Sequence, residues 1–299
     1  MSDLSTPRVV VLGDLIYDLL ARIEGPVTFG TDTFAPIHAV AGGSGANAAA
    51  WLASLDVETH FVGRVGDDAL GEALAADLKK AGVTPHLARD PSLGTGKVFV
   101  FVDGAGERTM ITDRGAGEAL RPEDLPPALF DGGHLYLSGY TFSGGSRRET
   151  ALEALRLARE AGMSVSVDPS SVPLLGEIGH ERFLGWTRGA DLCFPNLEEG
   201  TLCGGEREPD RVAERMLDHY PAVVLKLGAA GALYAGADGE RVRLPAEPAR
   251  VADTTGAGDA LCAGFLAAWL SGAPPAAALR RGVELAARTV ERFGARPGG

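Results

Sequence analysis

The feature that most constrains the fold is the alternation of short apolar runs with helix-like segments along most of the chain. Runs rich in β-branched and aromatic residues recur at RVVVLGD, THFVG, HLYLSG, SVSVDPS, DLCFPN and AVVLKLG. Segments with helical spacing lie between them, at residues 46–55, 69–81, 147–161 and 212–219. Strands that alternate with helices favour parallel pairing, because each helix carries the chain back across the sheet. We therefore predict an α/β fold with a doubly wound parallel sheet.

Two regions interrupt this alternation. Residues 19–40 have the pattern of extended pieces with turns, and KVFVFVDGAGERTMIT, residues 97–112, predicts a hairpin around Asp103–Gly106. Neither region can bury both of its faces alone, so we expect them to form a small β-rich lid over the main sheet. No repeat or long linker interrupts the 299 residues. We predict one domain, residues 1–299, with lid segments at about 19–40 and 97–112.

Composition excludes several classes of partner. The chain carries 28 Lys and Arg against 40 Asp and Glu, a net charge of −12 with no basic cluster. Nucleic acid and anionic membranes are therefore not expected partners.

The cysteines and the N-terminus indicate where the protein is located. The three cysteines, Cys193, Cys203 and Cys262, lack metal-ligand spacing and predict buried free thiols in a reducing cytoplasm. The N-terminal sequence has no signal-peptide pattern, and we expect a soluble cytoplasmic protein.

Ligands of doubly wound sheets bind beyond the carboxyl ends of the strands. Polar or small residues follow five of the predicted strands in this sequence: Asp14, Ser138, Asp168, Asn196 and Gly228. We expect the functional site at that edge of the sheet.

The segment ADTTGAGDAL, residues 252–261, places small and acidic residues before a strongly apolar helix. The first amides of a helix lack intrahelical partners and lie at the positive end of its dipole, so they attract anions. Gly256, Ala257 and Gly258 would let an anion such as a phosphoryl group approach the backbone, and Asp259 would accept a proton from an attacking alcohol. The alternative is that Thr254 or Thr255 caps the helix and Asp259 only complements its dipole.

The order DTTGAGDA, followed by a helix of small residues, resembles the C-terminal motif of the ribokinase (PfkB) family of carbohydrate kinases. AGGSGANAAAWLASLD, residues 41–56, resembles the family's N-terminal motif, and GDLIYD its first strand-end loop. The resemblance implies a catalytic base with an anion hole, made by Asp259 with Gly256, Ala257 and Gly258. It also implies contacts with a sugar acceptor, assigned to Asp18, Asp14, Gly42, Gly43 and Asn47.

The same resemblance implies the cofactors ATP and Mg²⁺. PNLEE resembles an Asn-x-x-Glu element that orders Mg²⁺ through water, which assigns Asn196 and Glu199; a capping box is the alternative for this pair. KLGAAG resembles the nucleotide loop and assigns Lys226, Gly228 and Gly231 to ATP. Asp253 and Thr255 match positions that help to hold a monovalent cation, K⁺, in the family.

The chain also departs from ribokinase. Ser44 stands where ribokinase has a lysine, Gly139 or Tyr140 where it has a glutamate, and Gly298 where a serine often helps to bind the cation. These differences weaken the case for ribose as the acceptor.

We predict an ATP-dependent phosphotransferase that acts on a hydroxyl of a pentose or hexose. A nucleoside kinase of the same family is the alternative, with Phe34 or Tyr140 stacking on the base. A phosphorylated acceptor is disfavoured because it needs several basic groups around the phosphate. Arg108 and Arg114 flank the predicted lid strand; contact with the site is one interpretation for them, and solvation, which is commoner for hairpin arginines, is the other. An NAD-dependent oxidoreductase and a non-catalytic sugar sensor are more distant alternatives. The lid's exposed edge predicts a homodimer.

Overall fold

Nine strands form the main sheet of the computed structural model, which describes residues 7–23, 25–104 and 108–298. Numbered along the chain, they are Arg8–Leu12 (β1), Glu58–Gly66 (β4), Thr84–Asp90 (β5), His134–Ser138 (β8), Ser164–Asp168 (β9), Leu192–Cys193 (β10), Ala222–Lys226 (β11), Ala232–Gly236 (β12) and Arg241–Leu244 (β13). Their spatial order is β13-β12-β11-β10-β9-β8-β1-β4-β5. All pairs from β11 to β5 are parallel, and β12 and β13 add an antiparallel edge. The predicted parallel sheet is confirmed.

Helices cover both faces of this sheet. They are Ser44–Ala53 (α1), Ala69–Lys80 (α2), Gly145–Glu160 (α3), Val172–Ile178 (α4), His180–Trp186 (α5), Leu197–Gly204 (α6), Pro209–Met216 (α7), Ala257–Leu270 (α8) and Pro275–Val290 (α9). Alternate residues of β1 enter different cores: Val10 and Leu12 join one cluster, whereas Val9 and Val11 join the other. This two-sided burial explains why the strands are continuous apolar runs in the sequence.

The four helices predicted from spacing are all present, with shifted ends. The helix expected at 212–219 begins earlier, at Pro209. Proline is favoured in the first turn because its missing amide needs no partner there, and the Glu208 side chain accepts from the amides of Asp210 and Arg211. The apolar pattern located this helix, but the cap residues set where it starts.

A second, four-stranded sheet lies apart from the main one. Its strands are Ile16–Arg22 (β2), Ile37–Gly42 (β3), Thr95–Val102 (β6) and Arg108–Gly115 (β7), in the order β3-β2-β6-β7. The hairpin of β6 and β7 is confirmed, although most of its expected turn, residues 105–107, lies outside the described residues, as do residue 24 and the Arg108 side chain. Ile16, Val98 and Val100 form a small core on this sheet.

No helix in the described part of the chain is long and apolar enough to cross a membrane. The three cysteines are free: Cys193 and Cys262 are buried, and Cys203 is partly buried.

Two glycines allow α8 and α9 to pack in direct backbone contact. A Cβ built on Gly264 would lie 2.9 Å from the Cα of Gly282, and one built on Gly282 would lie 2.7 Å from the carbonyl oxygen of Leu261. Such distances leave no room for a methyl group. Since α8 is the apolar helix that begins within the segment ADTTGAGDAL, this contact also fixes where the start of the helix lies.

We expect Gly264→Ala to lower the free energy of unfolding by about 1–3 kcal/mol, because the added methyl group forces the two helices apart. Urea denaturation followed by circular dichroism measures the loss. Gly185→Ala is the matched control, because Gly185 lies within α5 and a Cβ built on it would meet no described atom of another element within 4 Å. An equal effect of both substitutions would contradict the proposed contact.

Candidate active site

The carboxyl ends of the parallel strands bring polar residues together at one edge of the main sheet. Ser138, at the end of β8, donates to Asp14 after β1 at 3.4 Å. Lys226, at the end of β11, pairs with Asp168 at the end of β9, with 2.6 Å between Nζ and Oδ2. Asn196 forms an isolated bridge with Lys226. The strand-end residues therefore gather around one site, as expected for a parallel sheet.

Asp259 lies in the first turn of α8 and faces the first turns of α1. Its Oδ1 accepts a hydrogen bond from Ser44 Oγ at 2.7 Å, and its Oδ2 accepts one from Asn47 Nδ2 at 3.0 Å. Burial raises the pKa of this carboxyl to about 7, although both hydrogen bonds stabilise the ionised form. A carboxylate with this pKa can accept a proton at neutral pH.

The N-terminus of α8 presents backbone amides rather than a capping side chain. Gly256 is the N-cap in the left-handed region, with φ 76°, and no side chain caps the helix. The alternative that Thr254 or Thr255 caps the helix is therefore wrong. The amides of Gly258 and Asp259 donate to no acceptor among the residues that the structure describes. They remain able to bind an anion.

Position 256 also tolerates nothing larger than glycine. A Cβ at this position would lie 2.7 Å from the Cα of Ala295, in the C-terminal loop. A carbonyl of the same loop, that of Ala295, accepts from the indole nitrogen of Trp51 at 2.8 Å. The C-terminal loop therefore contacts both α1 and the start of α8.

Asp14 and Asp18 lie beside the N-terminus of α1. Asp14 accepts from the amides of Ser44 and Gly45, both at 3.3 Å. Asp18 is on β2, and burial, with the negative charge of Asp14, raises its pKa to about 6 against the opposing effect of Arg296. A Cβ on Gly42 would lie 2.1 Å from Asp18 Oδ2, so this glycine leaves space for the carboxylate.

Gly43 and Asn47 are brought to the same place. Gly43 has φ 100°, which glycine adopts without strain, and its carbonyl accepts the amide of Asn47 at 2.8 Å. Asn47 connects Asp259 with Arg296, whose Nε donates to Asn47 Oδ1 at 3.1 Å.

Arg296 is a residue that sequence reasoning missed. It donates to the carbonyl of Gly42 at 2.8 Å and pairs with Asp77 of α2, in addition to its bond with Asn47. The available signal was its place in GARPGG, residues 294–299. Within this segment we interpreted only Gly298, as a cation-binding position. Its partners lie more than 200 residues away in sequence, so no local pattern indicates them.

Lys226, which the sequence assigned to ATP, also lies near the N-terminus of α8. Its Nζ is 3.6 Å from a Cβ built on Gly258. Burial lowers the pKa of Lys226, but Asp168 and other anions outweigh this effect, so the pKa is raised and the side chain is a cation. Asp168, which also accepts a weak hydrogen bond from Cys262 Sγ at 3.4 Å, was noted in the sequence only as a strand end.

Asn196 and Glu199 form the complete capping box that was the alternative for this pair. Asn196 Oδ1 accepts the Glu199 amide, Glu199 Oε2 accepts the Asn196 amide, and Asn196 Nδ2 donates to Glu199 Oε1, each at 2.8 Å. Glu199 is 1% exposed, and burial raises its pKa to about 7 against the effect of Lys226. A metal-ordering role for the pair stays a prediction.

The remaining predicted residues lie in two turns. Asp253 Oδ1 accepts from the Thr255 amide at 2.9 Å and from its hydroxyl at 2.5 Å, while Oδ2 accepts from Gly294 at 3.2 Å. Gly228 is exposed after β11, and Gly231, with φ 91°, contacts the backbone after β13. Neither turn joins the hydrogen bonds that hold Asp259, and their binding roles stay predictions.

Comparison with known proteins decides the family. A model of the pfkB family of carbohydrate kinases matches residues 6–298. The chain belongs to this family. It is 33% identical over 97% of its length to an ATP-dependent ribose-1-phosphate kinase of Halopiger xanaduensis, of which it covers 94%.

Solved structures agree. The adenosine kinase from Sinorhizobium meliloti matches 99% of the chain and 97% of its own, with TM-score 0.89 and 27% identity. The Arabidopsis thaliana ribokinase complexed with ribose and ATP matches 97% of the chain and 94% of its own, with TM-score 0.81 and 26% identity. The family, the ribokinase-like fold and the class of ATP-dependent phosphotransferase predicted from the sequence are confirmed.

We expect Ser44→Ala to raise the pKa of Asp259 above its value of about 7, because the substitution removes a hydrogen bond to the ionised carboxylate. The measurement is a ¹³C NMR titration of aspartate-labelled protein, with Asp259→Asn used to identify the resonance. Ser54→Ala is the matched control, since that hydroxyl donates to Trp51 at the far end of α1. A pKa that does not move in Ser44→Ala would contradict the assignment of this hydrogen bond.

Proposed function

We propose that this PfkB-family kinase transfers the terminal phosphoryl group of ATP to a hydroxyl of a sugar, with Asp259 as the general base. The observation that carries the proposal is the position of Asp259. Asp259 is partly exposed and is oriented by Ser44 and Asn47. It lies beside the amides of Gly258 and Asp259, which have no acceptor in the described part of the chain. A base and an anion-binding turn in contact are the two groups that in-line phosphoryl transfer requires.

The acceptor would bind between the N-terminus of α1 and the small sheet. Asp18, Asn47 and the backbone of Gly43 offer acceptors and donors for sugar hydroxyls at that place. Asp259 takes the proton from the hydroxyl as its oxygen attacks phosphorus. Lys226, near Gly258, adds positive charge where negative charge develops.

Glu199 and Asn196 suit Mg²⁺ bound largely through water and nucleotide phosphate. Both side chains offer hard oxygen ligands, which Mg²⁺ prefers. Mg²⁺ would neutralise phosphate charge when bound.

We assign binding of ATP to Lys226, Gly228 and Gly231. We also assign K⁺ to Asp253 and Thr255, which initial rates in potassium and sodium salts at equal ionic strength would test.

A nucleoside is the second candidate acceptor, since the matching Sinorhizobium meliloti protein is an adenosine kinase. Of the two aromatic residues considered for base stacking, Phe34 is 93% exposed. Tyr140 is partly buried and lies against the Arg114 guanidinium, 4.9 Å from its ring centre. Tyr140 is therefore the better-placed residue for a base.

The small sheet would act as a lid and as a dimer interface. Its face away from the small core exposes Phe99 and Ile111, which stand opposite each other on β6 and β7. Closure over the acceptor would exclude water and suppress ATP hydrolysis. Pairing of two such faces would bury these side chains, and sedimentation velocity would test the homodimer. A cytoplasmic location fits the three free thiols.

We expect Asp259→Asn to lower kcat by about 10²- to 10⁴-fold with little change in ATP binding, because the amide cannot accept the proton. ADP release with ribose, fructose and adenosine measures turnover, and calorimetry measures ATP binding. Asp238→Asn, which changes an exposed carboxylate after β12, is the control. Undiminished turnover in Asp259→Asn would refute the assigned base.

The pH profile follows from the same assignment. The base accepts a proton only when ionised, so kcat/KM rises as pH increases through about 7 and then levels. In Ser44→Ala the midpoint moves to higher pH, in step with the pKa of Asp259. A profile that is flat between pH 6 and 8 would be inconsistent with the proposed base.

A further inference from the structure

A small cavity of about 10 Å³ beside Asp14 has three arginines in its wall, and a group larger than one water molecule has to displace part of that wall. They come from separate elements: Arg64 from β4, Arg114 from β7 and Arg147 from α3. Asp14 is the only acidic residue among the side chains that line it in the described part of the chain. No sequence pattern indicates this cluster, because the three arginines are dispersed over more than 80 residues and a net charge of −12 surrounds them.

Arg147 is the unusual member of the cluster. It is 2% exposed, and among the described residues only its Nη1 forms hydrogen bonds, to Glu118 and Ser143, both at 3.3 Å. Its Nε is buried and has no acceptor among those residues. A buried guanidinium donor without an acceptor has lost its hydrogen bond to water and destabilises the folded chain. A ligand that accepts from this group would remove that cost.

Arg114 shares its counterion with Arg147. Glu118 Oε1 lies 3.4 Å from Arg114 Nε and 3.3 Å from Arg147 Nη1, so one carboxylate serves two guanidinium groups. Arg64 differs, because Asp90 and Asp124 satisfy it with four hydrogen bonds of 2.9–3.1 Å. The charge available to a ligand therefore comes from Arg114 and Arg147, and Arg64 is a wall residue.

Asp14 connects the cavity to the proposed reaction centre. Its carboxylate accepts from the amide of Ser44, and the hydroxyl of Ser44 donates to Asp259. Two hydrogen bonds of Ser44 thus link Asp14, in the cavity wall, with the proposed base. Asp14 does not repel an anion strongly there, because the amides of Ser44 and Gly45 and the positive end of the α1 dipole offset its charge.

We propose that Arg147 and Arg114 bind an anionic group of the acceptor, a phosphate ester or a carboxylate. The proposal rests on the sugar-kinase function proposed above and narrows its substrate to a phosphosugar or a sugar acid. Guanidinium groups bind both oxyanions through charge-assisted hydrogen bonds. The free Nε of Arg147 and the half-compensated charge of Arg114 supply the donors, and Tyr140 below Arg114 holds that guanidinium in place.

Matched acceptor pairs test the proposal by ADP release. Ribose is compared with ribose 1-phosphate and ribose 5-phosphate, and fructose with 2-ketogluconate, its carboxylate counterpart. We expect the anionic member of at least one pair to have the higher kcat/KM, by about 10-fold or more. A preference for a ribose phosphate identifies the phosphate ester, and a preference for 2-ketogluconate identifies the carboxylate. Equal or higher kcat/KM for both neutral sugars overturns the proposal.

Substitution of Arg147 tests whether the preference for anionic over neutral acceptors arises from the cavity. Arg147→Met keeps the length of the apolar stem, and we expect the ratio of kcat/KM, anionic over neutral, to fall about 10- to 100-fold. Arg148→Met is the matched control, because Arg148 is the next residue of α3 but lies on Trp186, 5.1 Å from the ring centre. Arg114→Met, at a partly exposed side chain, replaces Arg147→Met if thermal melts show that the latter is unfolded. An unchanged ratio overturns the proposal.

Binding measurements distinguish a failure of the proposed anion site from a failure of the proposed phosphotransfer. If the wild-type protein releases no ADP with any acceptor, the phosphotransfer proposal fails. Calorimetry with ribose 1-phosphate and 2-ketogluconate then tests the anion site alone. A Kd that rises about 10-fold or more in Arg147→Met supports the site, and absent binding or equal Kd values in wild type and variant reject it.

Discussion

Two hydrogen bonds from α1 orient Asp259, and this contact between the first turns of α1 and α8 joins parts of the chain that are more than 200 residues apart. Partial burial raises the pKa of the carboxyl to about 7, and the two donors stabilise its ionised form. Displacement of α1 would remove both donors from Asp259. The proposed chemistry therefore depends on how closely these two helices approach the edge of the sheet.

Close approach depends on residues without side chains. A Cβ on Gly13 would lie 2.6 Å from the Cα of Gly45, so α1 begins in backbone contact with the loop after β1. Gly256 makes the equivalent contact with Ala295 at the start of α8. Tight backbone contacts leave the first amides of both helices near the site. Asp14 accepts from those of Ser44 and Gly45 in α1, whereas those of Gly258 and Asp259 in α8 have no acceptor among the described residues. The N-terminus of α1 thus binds the carboxylate of Asp14, whereas the N-terminus of α8 is available for the phosphoryl group that we propose is transferred.

The parts of the molecule that could be predicted are those recorded in local sequence. Two-sided burial makes β1 and β11 nearly continuous apolar runs, and the order DTTGAGDA is specific enough to indicate Asp259. Arg147, Arg296 and Asp168 could not be predicted in the same way. Their partners, Glu118, Asn47 and Lys226, come from distant elements, and a single arginine in a helix pattern is compatible with solvent exposure. Long-range pairing decided which charges are buried.

Local sequence is a poor guide to the acceptor for the same reason. A phosphorylated acceptor is disfavoured from the sequence because a substrate phosphate needs several basic groups around it. A folded chain needs no basic run to provide them: β7 and α3 each contribute one arginine to a cavity whose low polarisability strengthens their effect. Burial also makes an incompletely compensated guanidinium costly, so the anion proposed to bind Arg147 would stabilise it. That difference would favour a charged acceptor over a neutral one.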